Sequence, residues 1–404
     1  MFLHGGIVLA SLTPAKRNRK SGRPKGRTVD ATALSQVQAL LGDAPRHADL
    51  LIEHLHRIQD AHGHLSAAHL VALAEELGLT IAEVFEVASF YHHFDVVKES
   101  QNTPPEITLR VCDSISCALA GAEELIEGLK RTLGEEIRIQ RVPCVGRCDQ
   151  APVAVLGRNP VSEASIDRLQ QLIAQKALNP ARPDYADYQD YRAQGGYQLL
   201  SLIDNGQLVV EGKPVATADQ LVQVMEDTQL RGLGGAGFPT GRKWRILRQQ
   251  PAPRLMAVNI DEGEPGTFKD RHFLERDPHR FLEGMLIAAH VVDAAAIYIY
   301  LRDEYSALHA VLTDELAALR SDPPCPLPEI HLRRGAGAYI CGEESALIES
   351  LEGKRGIPRN RPPFPVTHGY LNQPSVVNNV ETFVAAARIA VFGADWFHSA
   401  GTDQ

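Results

Sequence analysis

The stretch GLGGAGFPTGRKW (residues 232–244) has five glycines in its first ten residues and ends on a lysine and a tryptophan. Glycine has no Cβ and tolerates positive φ, so its backbone N–H groups can come close to a ligand. Successive N–H groups of this kind bind phosphate oxygens, and Lys243 adds a compact positive charge beside them. The stretch therefore predicts a nucleotide-type ligand.

The same residues contain the pattern Gly232-x-Gly234-x-x-Gly237, which resembles the dinucleotide fingerprint of the Rossmann fold. That fingerprint requires a strand before it and a helix directly after it. Here residues 217–230 show helical spacing after a capping threonine, and Pro239 follows the last glycine. The context disfavours a Rossmann site.

Four later motifs accompany the glycine loop, at residues 259–270 (NIDEGEPGTFKD), 335–345 (GAGAYICGEES), 353–365 and 378–382. Together and in this order, they resemble the FMN- and NADH-binding flavoprotein subunit of respiratory complex I. The family also includes the diaphorase subunits of NAD-reducing hydrogenases and of NAD-dependent formate dehydrogenases. The resemblance implies FMN as cofactor and NAD as the second nucleotide.

The resemblance also implies which residues bind the cofactors. They are Gly232, Gly234, Gly235, Gly237, Phe238, Lys243, Asn259, Asp261, Glu262, Glu264, Tyr339, Gly342, Glu343, Glu344, Asn378 and Asn379. Phe238 would stack on the nicotinamide, and Glu264 and Glu344 would face the nucleotide, where acid repels the 2′-phosphate of NADP. No catalytic residue is expected, because hydride transfer between nicotinamide and flavin needs no protein base.

Four of the six cysteines form two spaced pairs, Cys112-x4-Cys117 and Cys144-x3-Cys148. Four thiolates suit either zinc or an iron–sulfur cluster. The spacing and the following residues 149–152 resemble the thioredoxin-like [2Fe-2S] subunit of complex I. That resemblance implies that all four cysteines are cluster ligands.

We predict an α/β multidomain fold: an N-terminal helical bundle plus a thioredoxin-like [2Fe-2S] domain, then an α/β FMN/NADH-binding domain. Strand patterns at 255–259, 297–301 and 329–332 alternate with helical patterns at 278–292 and 307–319, as in a mostly parallel sheet. The predicted boundaries are 1–29 (disordered basic tail), 30–98 (bundle), 105–175 ([2Fe-2S] domain), 176–200 (surface linker) and 201–404 (flavoprotein domain).

Composition and charge exclude several classes of protein. The chain has 404 residues and a net charge of −9, and its basic residues cluster only in the tail, which disfavours nucleic-acid binding. No apolar run approaches the length of a membrane span, so no direct membrane insertion is expected. Paired cysteines without a secretory signal favour a cytoplasmic redox protein. The tail is either a solvated terminus or an arm that docks on an acidic partner.

The fused order of the two modules resembles the diaphorase-type subunits more than complex I. Residues 49–56, 94–98 and 231–233 resemble the beta subunit of NAD-dependent formate dehydrogenase, whose partner is a molybdenum or tungsten catalytic subunit. Residues 393–397 resemble the diaphorase subunit of NAD-reducing hydrogenase. The flavoprotein subunit of NADH-quinone oxidoreductase is a further alternative, and a non-catalytic scaffold an alternative of another class. Relatives continue into ubiquitin-like and [4Fe-4S] domains, so we expect a C-terminally truncated fragment.

Overall fold

The computed structural model describes residues 28–204, 209–210, 213–214 and 217–399. Nearly all of the predicted basic tail therefore lies outside the described residues. The α-helices are α1 (Ala31–Leu41), α2 (Leu51–His62), α3 (Ala67–Leu77), α4 (Ile81–Phe90), α5 (Ile115–Leu119), α6 (Ala122–Thr132), α7 (Ile166–Ala174), α8 (Tyr188–Ala193), α9 (Gln198–Asp204), α10 (Ala218–Asp227), α11 (Thr240–Arg248), α12 (Lys269–Leu274), α13 (Pro278–Val292), α14 (Ser306–Ser321), α15 (Glu344–Leu351) and α16 (Val380–Ser399).

The strands fall into four sheets, of which two have four strands. They are β1 (Leu65–Ser66), β2 (Val96–Val97), β3 (Ile107–Cys112), β4 (Ile137–Val142), β5 (Ala154–Leu156), β6 (Asn159–Val161), β7 (Val209–Val210), β8 (Lys213–Pro214), β9 (Arg254–Ile260), β10 (Ala294–Leu301), β11 (Glu329–Arg334) and β12 (Ser375–Asn379).

Helices α1 to α4 form the predicted bundle, and side-chain caps explain where α1, α3 and α4 begin. The Asp30 and Ser66 side chains accept the backbone N–H of the third residue after them, at the starts of α1 and α3. Thr80 and Glu83 form a reciprocal capping box at the start of α4. Each cap satisfies N–H groups that have no partner inside the helix.

The [2Fe-2S] domain is a four-stranded sheet in the order β4-β3-β5-β6. The β3 and β4 strands are parallel, whereas β5 runs antiparallel to β3 and pairs with β6 in a hairpin. Because β3 and β4 are parallel neighbours, with Cys112 opposite Val142, the loops at their carboxyl ends meet. This is the thioredoxin-like arrangement expected from the sequence.

The flavoprotein domain is built on a wholly parallel sheet in the order β11-β10-β9-β12. Side chains alternate between its faces along each strand. On β9, for example, Met256 and Val258 enter one hydrophobic core, and Leu255 and Ala257 enter another. The predicted strands and helices are present, but β12 and α16 lack a counterpart in the sequence-based prediction.

The two faces of this sheet are covered by different parts of the chain. Helices α10, α11, α13, α14 and α16 pack on one face. On the other face lie α15 and the N-terminal bundle, whose Leu55 and Leu73 share a core with Leu255 and Tyr300 of the sheet. The bundle is therefore the third layer of the flavoprotein sandwich, although we predicted it as a domain of its own.

Residues 176–200 were predicted to be a linker lying over the surface, and for the second half this is wrong. It contains α8 and the start of α9, and Tyr188 and Tyr197 are buried. The Tyr197 hydroxyl hydrogen-bonds His279 Nδ1 at 2.8 Å, and its backbone N–H donates to Glu283. The two tyrosines hold the segment in place because their rings are packed in the apolar core and their hydroxyl groups form hydrogen bonds.

Among the residues that the structure describes, no helix combines the length and the apolar character that crossing a membrane requires.

Candidate functional site

Two loops at the carboxyl ends of β3 and β4 bring the four predicted cluster cysteines together. Cys112 ends β3, and Cys117 lies on α5, while Cys144 and Cys148 follow β4. The Cys112 thiol hydrogen-bonds those of Cys117 and Cys144. The Sγ atoms of Cys144 and Cys148 are 3.3 Å apart. The four thiols thus form a row of neighbours, from Cys117 through Cys112 and Cys144 to Cys148.

Backbone N–H groups surround these sulfurs. Gly146 donates to Cys144 Sγ at 3.4 Å, and Gly266, from the flavoprotein domain, donates to Cys148 Sγ at 3.1 Å. A thiolate is the form that binds metal, and N–H donors to the sulfurs stabilise its charge. Four neighbouring cysteine sulfurs with such donors therefore fit a four-thiolate cluster.

The second site lies at the carboxyl edge of the parallel sheet. The chain leaves β9 towards β10 through α13 on one face, and it reaches β12 after α15 on the other face. Neighbouring β9 and β12 therefore form a switch point, where ligands of open α/β sheets bind. Asn259 and Asn379 are register partners there, and Asn379 Nδ2 donates to the Asn259 carbonyl at 3.3 Å.

The glycine loop projects over this switch point. The Gly232 N–H donates to the Phe238 carbonyl at 2.9 Å, which closes the loop, and the glycines between them are largely exposed. A Cβ at Gly234 would lie 3.0 Å from that of Asn379. Phe238 is 43% exposed, as a ring that stacks on a ligand would have to be. As expected, a helix rather than a strand precedes the loop, so it is no Rossmann turn.

Lys243 lies between the glycine loop and the sheet edge. Its Nζ atom donates to the Val377 carbonyl and pairs with Glu344, both at 2.9 Å. Glu344 also pairs with Arg361 at 3.1 Å, a cation that sequence reasoning had not assigned to the site. The positive charges of Lys243 and Arg361 compensate the negative charge of Glu344. If a negative charge in this region repels a 2′-phosphate, as the sequence predicts, that charge is mainly the one on Glu264. The Glu264 carboxylate is exposed and accepts a hydrogen bond from the Tyr339 hydroxyl.

Asp261, like Thr240 at the end of the glycine loop, has a buried side-chain oxygen that lacks a partner in the described part of the site. Its Oδ2 atom has no hydrogen bond within the described residues, and burial raises the pKa of the carboxyl from 3.8 to about 7. An orphaned buried oxygen is costly, and such atoms in native proteins are usually explained by a ligand, a water or a function. A donor on a bound cofactor would satisfy it. The site therefore fits FMN.

Other predicted residues act as supports for the site. Glu262 accepts the backbone N–H groups of Asp270 and Arg271 and the Tyr305 hydroxyl, which fully uses its carboxylate. The Glu343 side chain caps α15 by accepting from Ser345 and Ala346. These contacts shape the loops around the site.

The asparagines and Gly342 join the motifs to one another. Asn378 accepts from Trp244 Nε1 at 3.0 Å, and Asn379 donates to Asp270 at 2.6 Å. The Asn259 amide donates to the Gly342 carbonyl at 2.8 Å. These hydrogen bonds thus connect the glycine-rich stretch, the β9 loop and the turn before α15, which together line one pocket.

The glycine turn after β11 is held by the N-terminal bundle. The Gly335 carbonyl contacts His56 Nε2 at 2.8 Å, and the next two carbonyls accept the backbone N–H groups of His93 and His92. The His93 ring also pairs with Asp303 at 2.7 Å. The bundle thus holds this glycine turn of the flavoprotein domain through hydrogen bonds and an ion pair.

Two buried arginines join the cluster loop to the flavoprotein loops, and sequence reasoning missed both. Arg302 donates to the Cys144 carbonyl at 2.6 Å and also to the Glu262 carbonyl. Arg271 donates to the Gly146 carbonyl at 3.0 Å and pairs with Asp149. Glu275 forms ion pairs with both Arg271 and Arg147, and so adds a further connection between the two loops.

Two family models match these two sites. Residues 225–388 match the Nuo51 FMN-binding domain. Residues 37–177 match the thioredoxin-like [2Fe-2S] ferredoxin. The chain joins an FMN-binding domain to a [2Fe-2S] domain. The Nuo51 match contains the glycine loop, and the ferredoxin match contains all four cysteines.

The relatives of this two-domain chain are redox subunits. It is 37% identical to NAD-reducing hydrogenase HoxS subunit alpha of Cupriavidus necator, over 93% of this chain and 66% of that protein. It is 43% identical to the mitochondrial NADH-ubiquinone oxidoreductase 51 kDa subunit of Neurospora crassa, over 46% of this chain and 40% of that one. A solved NAD⁺-reducing [NiFe]-hydrogenase in the H₂-reduced state is similar with a TM-score of 0.72 at 36% identity, covering 89% of this chain and 64% of that chain. The chain thus spans less than two thirds of these relatives.

Proposed function

We propose that the protein is an NAD(H):FMN oxidoreductase subunit of the diaphorase type. The observation that carries this proposal is the position of the β9 loop. Its Asp261 end lies in the flavin pocket, and its Gly266 end contacts the cluster ligand Cys148. This loop supports the proposal because it would connect a two-electron site, the flavin, to a one-electron site, the cluster.

FMN would supply the central chemistry, because it exchanges a hydride with NAD(H) and single electrons with iron–sulfur clusters. The protein's part is binding and orientation. The glycine loop and Lys243 bind the flavin phosphate, Asp261 accepts a hydrogen bond from the flavin, and Phe238 offers its ring to the nicotinamide. Glu264 disfavours a 2′-phosphate, so NAD is preferred over NADP.

An anaerobic titration of the purified protein with NADH tests this function. We expect the flavin absorbance to bleach and an EPR signal of a reduced [2Fe-2S] centre to follow. Absence of flavin and of the EPR signal would contradict the proposal and leave a non-catalytic scaffold. Bleaching without an EPR signal would confine the function to the flavin half.

A matched pair of cysteine variants assigns the signal. Cys117→Ser should abolish the EPR signal while NADH still bleaches the flavin, because only the cluster loses a ligand. Cys325→Ser, which lies outside the four converging sulfurs, should leave both signals unchanged. Loss of the EPR signal in both variants would mean that the cluster is not where we place it.

The partner subunit is a separate part of the proposal. We infer a catalytic molybdenum or tungsten formate dehydrogenase subunit, on the resemblance of residues 49–56, 94–98 and 231–233. A hydrogenase partner is the second candidate, because the similarity to the HoxS subunit alpha extends over 93% of this chain. We also propose a cytoplasmic location for the complex.

Isolation of the complex from its source under native conditions distinguishes the partners. Formate-dependent reduction of NAD⁺ by the purified complex would support the first, and hydrogen-dependent reduction the second. Activity with NADH and a quinone alone would contradict both and favour a role in an NADH-quinone oxidoreductase.

A further inference from the structure

One sulfur of the cluster site receives its backbone hydrogen bond from a different domain. The Cys112 and Cys117 thiols accept backbone hydrogen bonds from the [2Fe-2S] domain itself, as does Cys144 from Gly146. For Cys148 the donor that the structure shows is the N–H of Gly266, at 3.1 Å, on the β9 loop of the flavoprotein domain.

The β9 loop is fixed in this position by buried groups. Arg302, which is 4% exposed, joins the carbonyls of Cys144 and Glu262. Arg271, which is 2% exposed, joins the Gly146 carbonyl to Asp149. Buried charged hydrogen bonds of this kind leave little freedom for the two loops to slide past each other.

Gly266 itself has the backbone that the contact requires. Its φ is +87°, a region that side chains disfavour, and a Cβ there would meet nothing within 4 Å. The glycine is therefore explained by the direction in which its N–H points, and not by lack of space. Asparagine tolerates positive φ better than other residues and retains the N–H.

We propose that the Gly266 N–H raises the reduction potential of the [2Fe-2S] cluster, so that docking of the flavoprotein domain tunes the cluster. Reduction adds negative charge to the cluster and its sulfurs, and an N–H donor stabilises that charge. Gly266 is a positioning residue, since it acts through Cys148. The inference rests on the cluster half of the proposed function and does not require that FMN be bound.

Redox titration of the cluster, followed by EPR, tests the tuning in a matched pair of variants. Gly266→Pro removes the N–H and should shift the midpoint potential to a more negative value. Gly266→Asn retains the N–H and should keep a midpoint close to that of the wild type. Equal midpoints in the wild type and in a proline variant that still holds flavin and cluster would overturn the proposal.

A pulsed-EPR measurement keeps the proposal testable if the proline variant does not assemble. Protein labelled with ¹⁵N-glycine should show ¹⁵N couplings to the reduced cluster from Gly146 and Gly266. In labelled Gly266→Asn one coupling should disappear, and an unchanged set of couplings would overturn the proposal. Flavin content and NADH bleaching are recorded on the same samples, so failure of the flavin function is seen separately.

Discussion

The N-terminal half of the chain contacts the flavoprotein domain in two places, and the contacts differ in their balance of apolar and polar groups. The bundle packs on the face of the sheet mainly through a shared apolar core, in which Leu55 of the bundle meets Tyr300 of the sheet, with ion pairs from Arg333 to Asp49 and Glu53 beside it. The cluster loop meets the β9 loop through Arg271, Arg302 and the N–H of Gly266. Apolar packing stabilises without direction, whereas hydrogen bonds and ion pairs place particular atoms. We infer that the bundle contact supplies stability and the loop contact supplies alignment between cofactors.

The largest expected effect is on the apolar contact. Leu55→Ala opens a cavity in the shared core, because this side chain is fully buried. We expect the free energy of unfolding to fall by roughly 3 to 4 kcal/mol. Denaturant unfolding followed by circular dichroism and by flavin release should show both signals moving together.

The control for that prediction is Leu119→Ala, since Leu119 is 83% exposed. It should change the free energy of unfolding by less than about 0.5 kcal/mol. If the flavin of Leu55→Ala were released at the same denaturant concentration as that of the wild type, the bundle would unfold independently of the flavin site. It would then be a separate domain.

The ionic contact is broken by Arg302→Met, which leaves the carbonyls of Cys144 and Glu262 without their buried donor. We expect a loss of about 3 kcal/mol in the free energy of unfolding, because buried acceptors lose their partner. The EPR line shape of the cluster should broaden more than in Leu55→Ala. Arg141→Met, at an exposed ion pair with Glu123, is the matched control and should leave both properties unchanged.

Asp261, in the proposed flavin pocket, gives an effect on stability that depends on pH. Burial raises its pKa to about 7 in the folded protein, so the folded state binds more protons than the unfolded state between pH 4 and 7. The free energy of unfolding therefore falls as the pH rises through this window. In flavin-free Asp261→Asn this contribution is absent, and we expect the variant to become progressively more stable than the wild type as the pH rises from 4 to 7.

The measurement is the difference in unfolding free energy between variant and wild type at pH values from 4 to 8. Burial also raises the pKa of Asp270 to about 6, but that contribution is common to both proteins and cancels. Asp219→Asn, at an exposed carboxylate, is the control variant for this measurement. If the difference for Asp261→Asn did not change with pH, water or a neighbouring group would already satisfy the Asp261 carboxylate.

The smallest expected effect concerns a polar bond within the apolar contact. The Tyr91 hydroxyl hydrogen-bonds Ser350 Oγ at 2.9 Å and donates to the Lys354 carbonyl at 2.7 Å. Tyr91→Phe should lower the free energy of unfolding by about 1 kcal/mol and leave flavin binding intact. A loss as large as that of Leu55→Ala would mean that polar bonds, and not apolar burial, attach the bundle.

Local sequence signals were sufficient for the elements and for most of the chemistry. The helix at 278–292 and the strand at 255–259 lie where the sequence predicted them, because periodicity and caps are properties of neighbouring residues. The four cysteines converge because their loops follow adjacent parallel strands. The assignment of individual flavin-binding residues stays a prediction.

By itself, the sequence determined the cofactor-binding modules, their order and the boundaries of their main elements. Only the tertiary structure decided that the bundle covers the second face of the sheet, that β12 pairs with β9, and that Arg271, Arg302 and Gly266 join the two sites. The physical reason is that the pattern of an amphipathic helix or strand indicates which of its faces is buried, but it does not indicate the surface against which that face packs. Likewise, an arginine or an N–H group gains a specific role only when a distant carbonyl or sulfur is brought within hydrogen-bonding distance.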